Sequence, residues 1–308
     1  MARIAVVGTG QIGASWAAQF LAAGHDVVAT DPRGDGADRV AAAVAKAWPV
    51  LDALGAIAPG ASPDRVRFEP RVEDAVDGAE VVQESGPERL SLKHELYARI
   101  EQMVADDALI ASSTSGFRPS DLQEGMRHPE RFVVGHPYNP PHLIPLVEVV
   151  GGSRTSEATV ARAMEFYRAL GKRPIHVRRE LRGHIANRLQ AAVWRESISL
   201  VLSGAVTAAE LDEAMSQGPG LRWALLGVFR NLHASGGDEG ITHTLEHLSG
   251  AIREWADDLA EYPRDDAFIP AIAASVDEEL AGADFDEVLA ARDRAMLALL
   301  AAKRDAGL

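Results

Sequence analysis

The apolar positions of this chain follow two rhythms. Up to about residue 182, short apolar runs alternate with stretches of helical spacing. The first run, Ile4-Ala5-Val6-Val7, is continuous rather than alternating and ends at Gly8. That pattern predicts a strand buried on both faces. Ile12, Trp16, Phe20 and Ala23 then share one stripe of a helix expected over 11–23, stopped by Gly24. A second strand is expected over 26–30, ahead of Asp31-Pro32. Further strands are expected over 65–68, 80–83, 108–111, 131–134, 146–150 and 174–177, with helices at 90–103 and 157–170 among them. Such alternation implies a mostly parallel sheet covered on both faces. After Arg182-Gly183 no segment has the run of a strand. Leu189, Val193, Ser197 and Leu200 keep helical spacing, then 209–216, then amphipathic stretches to the end. The expectation is an α/β domain over 1–182 followed by an all-α domain over 183–308.

Composition changes this picture only at a few points. At 47% apolar and 25% charged residues, the chain of 308 reads as an ordinary globular protein of two domains. No window approaches the roughly 18 uninterrupted apolar residues of a membrane helix. Met1-Ala2-Arg3 leads straight into the first strand, without the pattern of a targeting peptide. The lack of cysteine excludes disulfides, thiolate nucleophiles and cysteine zinc sites, and fits a cytoplasmic location. No metal site is expected. The formal charge of −14 comes with no Lys/Arg cluster, which argues against nucleic acid as a partner. An acidic balance of this kind serves solubility, and a polyanionic substrate would then need a dedicated basic patch.

The first candidate chemistry is Gly8-Thr9-Gly10-Gln11-Ile12-Gly13, set between the first strand and the first helix. In such a turn Gly8 permits the bend, Gly10 admits a pyrophosphate close to the backbone, and Gly13 lets helix and strand pack. The helix start at Gln11 and Ile12 then faces the phosphates with N–H groups. Asp31, eighteen residues past Gly13 at the end of the second strand, can accept hydrogen bonds from an adenosine ribose. It would repel a 2′-phosphate, so NAD is favoured over NADP; Arg33 nearby weakens that preference. The fold class is therefore Rossmann-type for the α/β part. A glycine turn without a ligand is the competing reading, and a flavin would use a similar opening.

The second candidate is His136, which ends the run Val133-Val134-Gly135 against the rigid turn Pro137-Tyr138-Asn139-Pro140-Pro141. Twelve residues on, Glu148 stands in the apolar run Leu146-Val147-Glu148-Val149-Val150. A carboxylate there is costly to bury unless it is paired, and His136 is the economical partner. Glu148 accepting one imidazole proton fixes the tautomer and makes the other nitrogen a base. An alcohol proton can then pass to His136 while hydride leaves the same carbon. Core or surface placement is the competing reading for a lone histidine. Asn139 is read as organising the turn.

Five segments together resemble the L-3-hydroxyacyl-CoA dehydrogenase superfamily, in its order and at its spacing. They are the glycine turn, Ser112-Ser113-Thr114-Ser115-Gly116, the stretch from Gly135 to Pro140, Leu146-Val147-Glu148, and Gly183-His184-Ile185-Ala186-Asn187-Arg188-Leu189. The resemblance covers nearly the whole chain. It implies a catalytic pair at His136 and Glu148, a substrate-bonding serine at Ser115 and a substrate-site asparagine at Asn187. The family's usual Asn-Thr-Ser-Ser stands here as Ser113-Thr114-Ser115-Gly116. Glu84 and Glu88 fall in the loop after the fourth strand, near the nicotinamide end, and Gln83 to Glu88 with Lys93 are expected close to the cofactor. Without the family, Ser115 and Asn187 read equally well as structural caps.

The resemblance also frames the substrate. Coenzyme A binders of this superfamily present lysines from the helical region after the second strand. Here that region, 35–54, sets Arg39 and Lys46 against Asp35, Asp38 and Asp52. So thin a basic presence favours a free 3-hydroxy acid over an acyl-CoA. Ala47-Trp48-Pro49, Gln83-Glu84-Ser85, the serine segment and Gly218-Pro219-Gly220-Leu221-Arg222-Trp223 most resemble the L-carnitine dehydrogenase branch. Asn139-Pro140-Pro141 is similar to the L-gulonate 3-dehydrogenase/lambda-crystallin branch, and Tyr138 stands where the carnitine enzymes tend to have Phe. A quaternary ammonium would seek an aromatic face, Trp223 or Phe229, and a carboxylate would seek Arg188 or Arg222; helix-spaced aromatics also serve as core. A 3-hydroxybutyryl-CoA dehydrogenase, an L-gulonate dehydrogenase and a non-enzymatic NAD-binding structural or sensor protein remain as alternatives. The family's helical domain implies a homodimer.

Overall fold

In the computed structural model, which describes residues 1–308, the chain divides into two compact units, Met1–Arg188 and Leu189–Leu308. The first unit carries eight strands: β1 (Arg3–Val7), β2 (Asp26–Thr30), β3 (Val66–Phe68), β4 (Val81–Glu84), β5 (Leu109–Ser112), β6 (Phe132–Pro137), β7 (Leu146–Gly151) and β8 (Arg173–Val177). Its helices are α1 (Gln11–Ala22), α2 (Gly36–Ala53), α3 (Val72–Val76), α4 (Leu90–Ile100), α5 (Pro119–Leu122) and α6 (Glu157–Ala169).

All strands join one sheet in the order β3-β2-β1-β4-β5-β6-β7-β8. Every neighbouring pair is parallel except β6 with β7. This is the mostly parallel sheet that the alternating pattern implies. The antiparallel step has a simple cause. Only the short turn after Pro137 separates β6 from β7, too little chain for a parallel crossover.

The continuous apolar runs are buried on both sides as expected. Ile4 and Val6 face a layer with Trp16, Phe20, Leu21 and Tyr167 from α1 and α6. Ala5 and Val7 face the opposite layer, with Tyr97, Ile100 and Phe132. Trp16 stacks on Phe20 at 5.2 Å between ring centroids, one helical turn apart on the predicted stripe.

One strand is longer than the apolar run suggests. Pairing with β7 carries β6 through Gly135, His136 and Pro137, past the expected end at residue 134. A proline at the last residue of a strand removes one donor only, and the ladder tolerates it.

The second unit is helical throughout, without strands. It takes most of α7 (Ala186–Leu202), then α8 (Ala208–Gln217), α9 (Pro219–Ser235), α10 (Gly240–Asp258), α11 (Ile269–Glu279) and α12 (Phe285–Asp305). Thr207 starts α8 with a complete capping box to Glu210. Only Ala208, Gly240 and Thr244 of this unit are buried, while Phe229 and Trp255 are 74% and 63% exposed. No helix of the chain is long and apolar enough to cross a membrane.

The turn between β1 and α1 depends on two glycines. Gly8 has φ +96°, a conformation other residues rarely adopt. A Cβ on Gly13 would stand 1.8 Å from the Gly8 carbonyl oxygen. Gly13→Ala therefore must push α1 off β1. The expected loss is about 1–3 kcal/mol, read as a lowered thermal midpoint by circular dichroism. An unchanged midpoint would show that the close approach is not needed.

Candidate active site

Register places the two central groups. His136 and Glu148 are directly opposite residues of the β6–β7 pair, so both side chains leave the same face of the sheet. His136 Nδ1 donates to Glu148 Oε2 at 2.9 Å, with both groups buried. The other oxygen, Oε1, accepts the backbone N–H groups of Ile185 at 2.8 Å and Ala186 at 3.0 Å, where α7 begins. These are donors that a helix start leaves without intrahelical partners. Burial alone would raise the Glu148 pKa. The hydrogen bond from His136 and the two backbone N–H groups outweigh it and hold the carboxyl below its usual range. An ionised Glu148 accepts the Nδ1 proton of His136, which in the neutral ring puts the lone pair on Nε2.

Three further groups gather beside this pair. Tyr138 OH donates to Asn187 Oδ1 at 3.2 Å, and Asn187 Nδ2 donates to the Ser115 carbonyl at 3.2 Å. The Tyr138 ring lies edge-on to His136, with centroids 5.9 Å apart. Burial, then the charge of Glu148, pushes the Tyr138 phenol up, so it stays a neutral donor. The exposed Ser115 belongs to a loop that Glu88 holds from behind. Glu88 Oε1 accepts from Thr114 Oγ1 and from the N–H groups of Ser115 and Gly116, both at 3.2 Å. The fold thus brings Ser115, His136, Glu148 and Asn187 together, as their order along the chain cannot show.

Lys93 takes a different place from the expected cofactor contact. It is buried, and its Nζ donates to Glu84 Oε1 at 2.7 Å and lies 3.5 Å from Glu88 Oε2. Glu84 is itself fully buried and accepts also from Gly86 N–H, Tyr97 OH and Ser112 Oγ. The ammonium is what makes two carboxylates tolerable at the end of β4. Burial, then the Glu84 charge, drives the Tyr97 phenol far up, leaving it a proton donor.

Sequence reasoning passed over His184. It is fully buried, with its ring centroid 5.3 Å from that of His136. Its φ of 49° is the one positive value outside glycine. Its Nε2 donates to the Thr114 carbonyl at 3.2 Å, and Nδ1 is buried without a hydrogen-bond partner. Burial, then the neighbouring His136, lowers its pKa, so it is neutral. The only trace in the sequence is Gly183-His184 before a helix, which carries no hint of a second imidazole.

The cofactor end lies at the carboxyl edges of β1 and β4, where the strand order reverses, the usual place for a dinucleotide in such sheets. Gly10 is the N-cap of α1, without a side-chain cap, and a Cβ built on it meets nothing within 4 Å. That open space before the first N–H groups, with Gln11 and Ile12 in the first turn, fits a pyrophosphate. Asp31 closes β2. It accepts from Thr9 N–H at 2.8 Å, Thr9 Oγ1 at 3.1 Å and the guanidinium of Arg33. Burial opposes its charge, but the bonds from Arg33 and Thr9 hold its pKa well below the usual range. Arg188 ends the first unit and is exposed, while Arg222 and Trp223 lie on α9 in the second unit.

Comparison with known proteins places the chain in a family. Residues 3–181 match the NAD binding domain of 3-hydroxyacyl-CoA dehydrogenase, and residues 183–265 match its C-terminal domain. An L-carnitine dehydrogenase of Streptomyces griseus is 46% identical over 97% of this chain and 89% of its own. One from Pseudomonas aeruginosa is 44% identical over 98% of this chain and 94% of its own. Among solved structures, the NAD+-dependent 5-formyl-3-hydroxy-2-methylpyridine 4-carboxylic acid 5-dehydrogenase, a dismutase, aligns with a TM-score of 0.86. It shares 31% identity over 99% of both chains. A 3-hydroxyacyl-CoA dehydrogenase from Archaeoglobus fulgidus aligns with a TM-score of 0.68 and 27% identity, over 86% of this chain and 84% of its own.

Glu148→Gln should test the buried carboxylate. The variant loses a charged acceptor and should be about 1–3 kcal/mol less stable in urea at pH 7. The folded pKa of Glu148 lies below its unfolded value of 4.5. Its contribution is therefore complete above that value and is lost as pH falls through the folded pKa. The stability gap between wild type and variant should narrow below about pH 4.5; a gap constant into acid would refute an ionised Glu148.

Proposed function

The chain belongs to the 3-hydroxyacyl-CoA dehydrogenase family and uses NAD, and we infer that it oxidises the 3-hydroxyl of a small L-3-hydroxy acid to the 3-keto acid with His136 as base. The observation that carries this reading is the His136–Glu148 bond. It aims a lone-pair nitrogen away from a buried carboxylate. NAD, when bound, supplies the hydride acceptor. His136 Nε2 takes the hydroxyl proton, and Glu148 stabilises the imidazolium that forms. Ser115 and Asn187 are assigned to the substrate oxygen. Glu84, Glu88 and Lys93 hold the loop that presents Ser115.

L-carnitine is the favoured substrate. The curated relatives carry that name, and the charge on α2 argues against a coenzyme A ester. Arg39 pairs with Asp35 at 3.8 Å, which leaves exposed Lys46 as the one other basic residue of a helix that also carries Asp38 and Asp52. Arg188 and Arg222 are proposed for the substrate carboxylate, and Trp223 or Phe229 for the ammonium. The cysteine-free chain suits a cytoplasmic location. A homodimer formed through the helical unit is proposed on the burial there. A helical unit with three buried residues and exposed Trp194, Phe229 and Trp255 has apolar surface to cover.

NADH formation should follow addition of L-carnitine, with weaker or no signal from L-gulonate and 3-hydroxybutyryl-CoA. Turnover of the CoA ester alone would overturn the free-acid reading. His136→Ala should lower kcat by roughly 10²–10⁴ while NADH binding, followed by fluorescence, stays near wild type; unchanged turnover would remove His136 from the chemistry. Sedimentation should give twice the chain mass, and a monomer would contradict the dimer.

A further inference from the structure

Asp31 is expected to receive the adenosine ribose, yet every position on its carboxylate is already used. Oδ2 accepts from Thr9 N–H at 2.8 Å, Thr9 Oγ1 at 3.1 Å and Arg33 Nη2 at 2.9 Å. Oδ1 accepts from Arg33 N–H at 3.1 Å and Arg33 Nε at 2.8 Å. The two partners differ in exposure. Thr9 is buried in the glycine turn, and Asp31 is pressed from behind by the start of α2, where a Cβ on Gly36 would lie 3.1 Å from Asp31 Cβ. The Arg33 side chain is 47% exposed against 5% for Asp31, and no other group anchors its guanidinium. Asp35 acts on it only as a nearby charge, and Asp35 is paired in turn with Arg39. Arg33 is therefore the donor that moves when a ribose arrives.

We propose that Arg33 is a specificity-determining residue at the adenosine end, opposing an unphosphorylated ribose and admitting a 2′-phosphorylated one. The two ribose hydroxyls of NAD must displace the Nε/Nη2 fork to reach Asp31. That displacement breaks a half-exposed ion pair, a small but unfavourable step. A 2′-phosphate reverses the sign. The displaced guanidinium stays tethered two residues from Asp31 and meets the phosphate with a bidentate, charge-matched fork. The 3′-hydroxyl keeps one carboxylate oxygen. Arg33 thus cancels much of the repulsion that Asp31 alone would exert, and the preference for NAD over NADP is narrower than the aspartate implies. This inference rests on Asp31 lying at the ribose.

The test is calorimetric binding of ADP-ribose and 2′-phospho-ADP-ribose to the full-length protein, so that no turnover is needed. Arg33→Ala should weaken the phosphorylated ligand about tenfold or more. It should leave ADP-ribose unchanged or up to about threefold tighter. Arg33→Lys, which keeps the charge and loses the fork, should fall between. Equal weakening of both ligands would show stacking on the adenine and overturn the proposal. So would a wild type that does not bind the phosphorylated ligand. Asp31→Ala separates the premise: it should weaken ADP-ribose, and unchanged affinity would show that Asp31 is not at the ribose.

Discussion

A single buried carboxylate ties the site of this protein to its fold. Glu148 is sealed from water, and each of its oxygens has a separate duty. One fixes the tautomer of His136, and the other gathers the first N–H groups of α7. Charge-assisted hydrogen bonds of this kind are among the stronger ones in a protein, and removing one partner leaves a buried charge exposed to the full desolvation cost. His136, the β6–β7 pair, the turn that carries His184 and the start of α7 are thus held to one point.

The same device recurs around the serine loop. Glu84 collects four donors at the end of β4, and Glu88 collects three from the serine loop. Lys93 stands between them and balances their charge. Groups that would touch a substrate, Ser115 above all, are therefore placed by residues that would not. That arrangement suits hydride transfer, where orientation of the hydroxyl carbon decides whether proton and hydride can leave together.

A contrast between the two units bears on assembly and substrate. The central strands of the sheet, β1, β4, β5 and β6, are buried almost throughout. The helical unit buries almost nothing by itself and displays tryptophan and phenylalanine to solvent. Its sequence is amphipathic enough to form helices, but stable helices need a face to pack against. The acidic balance of the whole chain, with Arg39 paired to Asp35 at the start of α2, is the ground on which a compact acid is proposed over a polyphosphate.

The sequence by itself determined the class of fold, the glycine turn, the place of Asp31 at the end of β2, the pairing of His136 with Glu148 and the family. These are local patterns or costs that any fold must meet: a buried strand needs an apolar run, a tight turn needs glycine, a buried carboxylate needs a partner. Tertiary structure decided what depends on residues far apart in the chain. The continuation of β6 through Pro137 came from pairing with β7, not from its own propensity. The burial of Lys93 against Glu84 and the packing of His184 on His136 came from loops converging at one end of the sheet. No periodicity encodes such meetings, because they are set by which strand ends lie side by side. Asp31 shows both sides of the matter. Its position past the glycine turn was legible, whereas the fork of Arg33 across it was settled by side-chain geometry alone.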